Sequence, residues 1–462
     1  MAALTEIEKW LAETVPGAIE RYDVPGVAWA VLADGEVVDG AAGVLSRSTL
    51  VDATADSVFQ IGSITKLWTA TLVMQLVDEG KVDLDVPIRT YLPEFRIADE
   101  EAAARITTRQ LLSHTAGFEG DIFTDTGRGD DCVEKYLQEL HGVAQLFPPG
   151  EQFSYNNAGY CVLGRLVEVL RNSPYDVCLR DHVIAPLGLT HTAPGPYEAI
   201  LFRAAVGHIE TEPGAGYQPA PVWSLVRSNA PAGSSLAMRP RDLLTFAKLH
   251  LDDGKAADGM QVLAPGTAGR MHEQQVDLPD LGLMGTSWGL GFERFETPDG
   301  LVIGHDGGTI GQSAFLRIIP ESGVAVALLT NGGDAISLYR DVVGHVLEQL
   351  GGVQLPALPE PSAAAERIDA GRYVGTYEAD VVEMTVSQDA DGRIWLEQRP
   401  KGVFAELGEQ VERKELVPYR EGSLIPVEAD RGMHLPHFFV GDDGHGHALY
   451  LHVGRAVRRA GA

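Results

Sequence analysis

The sequence has little of what would commit it to export, to a metal or to a polyanion. Only three of its 462 residues are cysteine, Cys132, Cys161 and Cys178. That number cannot close into pairs, and the gaps match no zinc-ligand spacing, so the three are expected to be small buried hydrophobes. Cations are scarce beside acids: 36 Lys and Arg against 65 Asp and Glu, a net charge of −29. A balance that acidic argues against nucleic acid or an anionic membrane as partner. No uncharged apolar run approaches the roughly 20 residues of a membrane span. The longest, Ser322 to Gly333, has the length of a buried strand. The first ten residues carry charge from Glu6 on and show no cationic start followed by an apolar stretch. They do not read as an export signal, and a cytoplasmic protein is expected.

What is present is ordinary globular composition, 45% hydrophobic and 22% charged, over a length that suggests more than one domain. Ile7, Leu11, Val15 and Ile19 form a helical stripe in the first 21 residues. Val27 to Leu32 and Val37 to Gly43 flank Ala33-Asp34-Gly35-Glu36 as a hairpin. A short strand over Ser57 to Ile61 runs into a helix from about Thr65 to Glu79, ended by Gly80. Residues 85 to 300 read as helical segments broken by Pro/Gly loops. Strands return at Leu301–Ile303, Ser313–Ile319 and Val324–Thr330, before a helix from Ala335 to Leu350. Strands at both ends of a helical middle predict one discontinuous α/β domain over residues 1–352, its ends paired in an antiparallel sheet. The proline-bearing stretch 353–366 reads as a linker. Residues 367–462 hold short strands separated by turns, the pattern of a small antiparallel barrel or sandwich.

Three segments could carry chemistry. In Ser63-Ile-Thr-Lys66 the serine sits where a strand ends and a helix begins, and the i, i+3 spacing places Lys66 on the same helical face. Ser63 reads as an N-cap or a nucleophile. A first-turn lysine has the wrong sign for the helix dipole, and that field favours its neutral form. A base needs such help: at pKa 10.4 a lysine is neutral in about one molecule in 2,500 at pH 7, a shortfall of roughly 4.6 kcal/mol. The second segment is Ser154-Tyr155-Asn156-Asn157, between the turn Pro148-Pro149-Gly150 and a helix. Taken alone it is a loop aromatic and an Asn cap. The third is Gly304-His305-Asp306-Gly307-Gly308-Thr309, between two predicted strands. Taken alone it is a turn whose consecutive glycines allow close backbone approach.

Together, Ser-x-x-Lys, Tyr-x-Asn and Lys/His-x-Gly in this order resemble the penicillin-binding-protein and class C β-lactamase superfamily. The flanking blocks Ile106 to Phe118, Pro231-Ala232-Gly233 and Trp288 to Phe292 are similar to further blocks of it. Tyr373-Val-Gly-Thr-Tyr377 resembles the opening of the lipocalin-like C-terminal domain attached to many members. The resemblance implies a β-lactamase/transpeptidase-like α/β catalytic domain with an all-β lipocalin-like barrel. It implies Ser63 as acylated nucleophile, with Lys66 and Tyr155 sharing base and acid work. Asn157 would hold Lys66 and the substrate amide, and His305 stands where members commonly have lysine. The Ser63 and Gly308 amides would form the oxyanion hole, with Gly307, Thr309, Trp288 and Gly233 around the substrate. No cofactor and no metal are implied. His434, His437, His445, His447 and His452 crowd the tail, but His445-Gly-His447 reads as a surface turn.

A neutral histidine in place of lysine argues against recognition of a substrate carboxylate. Among members, length, layout and motifs look most like the penicillin-binding-protein-type thioesterases, stand-alone cyclases of nonribosomal peptides. That resemblance implies a peptidyl thioester substrate, with a carrier protein of a peptide synthetase as its donor and a D-residue at its acyl end. A hydrolase of the same fold (esterase, D-aminopeptidase or β-lactamase-like) and a non-catalytic binding member are the alternatives. Arg455, Arg458 and Arg459 read either as partners for an acidic group or as a solvated tail.

Overall fold

Strand β1 (Gly26–Ala33) is buried along its whole length, on both faces. Such a strand needs cover on two sides, and the computed structural model supplies it. The structure describes residues 2–211, 214–362, 367–402, 405, 410–430 and 432–461. β1 pairs with β2 (Glu36–Gly43) in the predicted hairpin and, on its other edge, with β8 (Val324–Thr330), Val27 opposite Thr330. Between lie β3 (Val276–Asp277), β4 (Ser287–Trp288), β5 (Glu293–Thr297), β6 (Gly300–Thr309) and β7 (Gln312–Ile319). The eight strands form one sheet in the order β2-β1-β8-β7-β6-β5-β4-β3, and each neighbouring pair is antiparallel.

Alternation along β1 sorts its side chains. Val27, Trp29 and Val31 join a core with α1 (Ala2–Arg21) and α4 (Ala335–Val346). Ala28, Ala30 and Leu32 face the larger core containing α2 (Thr65–Asp78) and α3 (Asn157–Arg171). The stripe on α1 is buried as expected, at Leu4, Ile7, Leu11, Val15 and Ile19. α2 is buried on every side from Thr65 to Leu76, the mark of a central rather than a surface helix.

Residues 353–362 carry no helix or strand. Val353 is nevertheless buried against α1 and α4, so the start of the expected linker is packed onto the catalytic unit. Residues 363–366 of that stretch lie outside the described residues. Beyond it, eight strands close into an antiparallel barrel: β9 (Gly375–Glu378), β10 (Val382–Gln388), β11 (Ile394–Pro400), β12 (Glu412–Pro418), β13 (Ser423–Pro426), β14 (His437–Val440), β15 (Tyr450–His452) and β16 (Ala456–Arg459). Closure removes the exposed edges that an open sheet of this size would carry. Among the described residues, Tyr377, Met384, Leu396, Leu424, Phe439 and Leu451 pack into its apolar core.

Candidate active site

The chain turns sharply between the short strand Phe59–Gln60 and α2. Gly62 has φ +52°, and a Cβ there would lie 2.6 Å from the Gly308 nitrogen. The turn Gly62–Ile64 puts Ser63 just before the first turn of α2. Gly233, at φ +118°, presses on the same turn from the other side, its Cβ position 2.2 Å from the Gly62 carbonyl oxygen. Gly233 therefore meets the backbone of the nucleophile turn, not open cleft.

Lys66 is fully buried. Its Nζ lies 3.0 Å from Ser63 Oγ and donates to the Ala232 carbonyl at 2.6 Å. Burial lowers its pKa to about 7, and Arg455 adds to the effect. Desolvation, rather than the helix dipole, is thus the main cause. The neutral fraction at pH 7 rises from about one in several thousand to near half. Tyr155 is buried as well, and its hydroxyl shares a hydrogen bond with Ser63. Burial pushes the phenol far above its ordinary value. It keeps its proton at neutral pH and can pass one on, while Lys66 is the group able to take one. Lys66 Nζ lies over the Tyr155 ring at 4.8 Å and near that of Tyr160 at 5.7 Å.

Asn157 departs from expectation. Its Nδ2 donates to Asp121 Oδ1 at 2.7 Å, and no hydrogen bond joins it to Lys66 among the described residues. It opens α3, whose cap is the preceding Asn156. Asp121 also pairs with Arg455, which reaches in from the barrel and lies over the Tyr155 ring at 5.0 Å. Sequence reasoning left Arg455 undecided and missed Asp121. The only sequence signal for Asp121 was its place just after the Ile106–Phe118 block.

The third motif is not a turn. β6 runs through it to Thr309, and the turn follows at Ile310–Gly311. A Cβ at Gly307 would lie 1.9 Å from the Ile61 carbonyl oxygen and 3.3 Å from the Ser63 nitrogen. The end of β6 therefore lies across the nucleophile turn. His305 is 1% exposed, and its Nδ1 is 2.6 Å from the Asp306 carbonyl oxygen. Burial, with Lys66 and Arg317 adding, lowers its pKa to about 3. It is a neutral ring, unlike a lysine. The Thr309 hydroxyl oxygen is buried without a partner among the described residues.

Trp288 is fully buried, with its ring against Phe153, Tyr155 and His305. It buttresses Tyr155. His114, at φ +58°, accepts from the Asn156 N–H at 2.9 Å and packs on Tyr155 at 4.4 Å between ring centroids. It supports the Tyr155 ring from behind. The barrel completes this wall. The Tyr155 N–H donates to the Gly454 carbonyl at 2.9 Å, the Ala456 N–H donates to Ser154 Oγ at 3.0 Å, and His452 Nε2 is 2.7 Å from the Phe153 carbonyl oxygen.

The remaining candidates fall away from chemistry. Cys132, Cys161 and Cys178 are buried free thiols. Among the described residues no cluster of His, Cys, Asp and Glu could hold a metal, and no helix is long and apolar enough to cross a membrane. His447 Nδ1 sits 2.9 Å from Asp443 Oδ2 within the turn expected there.

A serine in contact with a buried lysine whose pKa is lowered to about 7 and with a tyrosine that keeps its proton defines a serine hydrolase or acyltransferase. The Beta-lactamase family pattern matches residues 11–347, and the chain belongs to that family. Penicillin-binding protein 4 of Amycolatopsis lactamdurans is 44% identical over 370 residues, 78% of this chain and 97% of that protein. The crystal structure of SurE superposes with a TM-score of 0.79 at 29% identity, covering 99% of this chain and all of that one, barrel included. SurE has also been solved with D-Leu. D-amino acid amidase from Ochrobactrum anthropi SV3, complexed with D-phenylalanine, gives a TM-score of 0.63 at 25% identity, over 76% of this chain and 99% of that one.

Proposed function

We propose that this chain releases a peptidyl thioester through an acyl-Ser63 intermediate and closes the peptide head to tail. Ser63 Oγ attacks the thioester carbonyl while neutral Lys66 takes its proton. The oxyanion is held by the Ser63 and Gly308 amides, and the thiol leaves with a proton relayed through Tyr155. The peptide's own amine then attacks the Ser63 ester, the ester bond breaks, and the proton returns to the serine. A D-residue at the acyl end, a carrier-bound substrate and a cytoplasmic setting belong to the same proposal. One observation carries it. The likeness to SurE, a penicillin-binding-protein-type thioesterase, runs through both the catalytic unit and the barrel. The SurE structure with D-Leu and the likeness to D-amino acid amidase support the D-configuration.

A second reading, hydrolysis of D-amino acyl esters or amides or reaction with β-lactams, is favoured by the 44% identity to a penicillin-binding protein. Tyr155, Lys66 and Ser63 in mutual contact count against a binding module that has lost its chemistry. The deciding experiment incubates the protein with N-acetylcysteamine thioesters of a free-amine hexapeptide, one with a D-residue at the acyl end and one with its L-epimer. A product one water lighter than the linear acid, from the D-substrate alone, is the expected result. Linear acid alone establishes the hydrolase.

A further inference from the structure

Behind His305 lies a cluster of ionisable groups that the reaction above does not use, with burial pushing the Glu293 carboxyl up to about 8. Glu293 on β5 and Arg317 on β7 lie on the two strands flanking β6, and are 2% and 0% exposed. Arg317 Nη1 is 2.7 Å from Asp306 Oδ1 and 3.8 Å from Glu293 Oε2, and Arg317 Nε donates to the Tyr339 hydroxyl at 2.9 Å. The guanidinium is held between the Phe295 and Tyr339 rings, at 4.4 and 4.9 Å. Glu293 Oε1 is 3.6 Å from His305 Nδ1, and the Glu293 carboxyl accepts from the Asp306 N–H. Burying an arginine with two acids is costly, and hydrophobic residues of similar volume often serve stability as well. No substrate reaches these groups, which leaves a role exerted through a neighbour.

That neighbour is His305. A carbonyl oxygen only accepts, so Nδ1, 2.6 Å from the Asp306 carbonyl, holds the hydrogen. Facing the ring are Glu293 from β5, Arg317 from β7, Lys66 from α2, Tyr155 and Trp288 at the site wall, and His114. Buried among them, the ring is neutral. With the hydrogen on Nδ1, the lone pair is on Nε2. That atom is buried and has no partner among the described residues.

We infer that Glu293 and Arg317 are positioning residues for His305, holding the Asp306 backbone and the imidazole so that Nε2 offers a fixed acceptor to a substrate N–H. This rests on the acyl-Ser63 reading and gives its third motif a polarity opposite to that of lysine. A lysine at this place offers hydrogens to a carboxylate, whereas a bare ring nitrogen suits a peptide amide or the incoming amine.

The test uses the full chain labelled with ¹⁵N-histidine, as wild type, Glu293→Gln and Arg317→Lys, with His305→Gln to assign the signal. Nitrogen shifts report which ring atom carries hydrogen at pH 7. In parallel, a p-nitrophenyl ester of an N-acyl-D-amino acid is turned over with an added D-amino amide, and the ratio of amide product to acid is read by mass spectrometry. The expected wild-type state is Nδ1–H with bare Nε2. Both variants should show mixed tautomers and an amide-to-acid ratio lower by about tenfold, the worth of one hydrogen bond. Labelling of Ser63 by a fluorophosphonate should change by less than about threefold, since it needs no such acceptor. Should Arg317→Lys fail to fold, Glu293→Gln carries the same test. An Nε2–H ring or a charged ring in the wild type overturns the inference. So do unchanged tautomers and ratio in the variants, or equal losses in labelling and transfer. If Ser63 is labelled in none of the proteins, the acyl-Ser63 reading falls, and the nitrogen shifts still decide the inference.

Discussion

The backbone N–H of Tyr155 donates to the carbonyl of Gly454 at 2.9 Å, so the loop bearing the candidate proton-relay tyrosine is fastened to the barrel. Gly454 has φ +89°, and a Cβ there would lie 2.8 Å from Met284 Sδ. Gly454→Ala should therefore shift the hairpin between β15 and β16, and Tyr155 with it. Displacements well under an ångström matter in such sites. The expected outcome is a kcat lower by about tenfold or more with KM little changed, measured on a D-amino acyl ester, while circular dichroism shows both folds intact.

Ser63→Ala should abolish turnover and covalent labelling together, because the Ser63 hydroxyl is the one that Lys66 Nζ contacts at 3.0 Å and that hydrogen-bonds to Tyr155. Intact-mass spectra after fluorophosphonate treatment should show one adduct on the wild type and none on the variant. Full activity in Ser63→Ala would remove the serine from the mechanism.

Lys66 ties activity and stability to pH in a defined direction. Its pKa is about 7 in the fold against about 10.4 in an unfolded chain. The neutral form is the base, so kcat/KM for acylation should rise through about pH 7 and level off above it. Between about pH 7 and 10.4 the unfolded chain binds the extra proton, so this group makes stability rise with pH over that window. Below pH 7 its full destabilisation is present. Lys66→Met should therefore be inactive yet more stable, by roughly 1–2 kcal/mol at pH 6, with the gain fading as pH rises. Urea denaturation at several pH values measures this directly.

The ion pair of Asp121 and Arg455 is lopsided. Asp121 is 5% exposed and the Arg455 side chain 40%. Removing the arginine strands a buried carboxylate, while removing the acid frees a cation that water can reach. Arg455→Met should cost about 1–3 kcal/mol and Asp121→Asn less than half of that. Equal losses in chemical denaturation would mean that the charges contribute little at this junction.

Much of this architecture was legible, and the failures share a cause. The hairpin over Val27–Gly43, α2 and the strands β7 and β8 follow from local patterns of burial and turn chemistry, and they stand as expected. The motif serine, lysine and tyrosine converge as their resemblance implied. β12, Glu-Arg-Lys-Glu-Leu-Val-Pro, was invisible because its first four residues are charged and Leu416 alone in it is buried. Its pairing with β11, not its composition, makes it a strand. Asp121 and Arg455 are 334 positions apart, and no local pattern links them. The depressed lysine was anticipated through the helix dipole, but the larger cause, complete burial of α2, is tertiary. Contacts made by closing the fold are what sequence patterns omit.

The pairing of β1 with β8 also fixes when the enzyme can first work. Val27 waits for Thr330, and Tyr155 waits for Gly454. At translation rates of about 5–20 residues per second, the nucleophile turn is made many seconds before the strands that shape it. Sheets closed by such distant segments are slow to fold. A nascent chain holding Ser63, Lys66 and Tyr155 should therefore be chemically silent until the hairpin around Gly454 has docked.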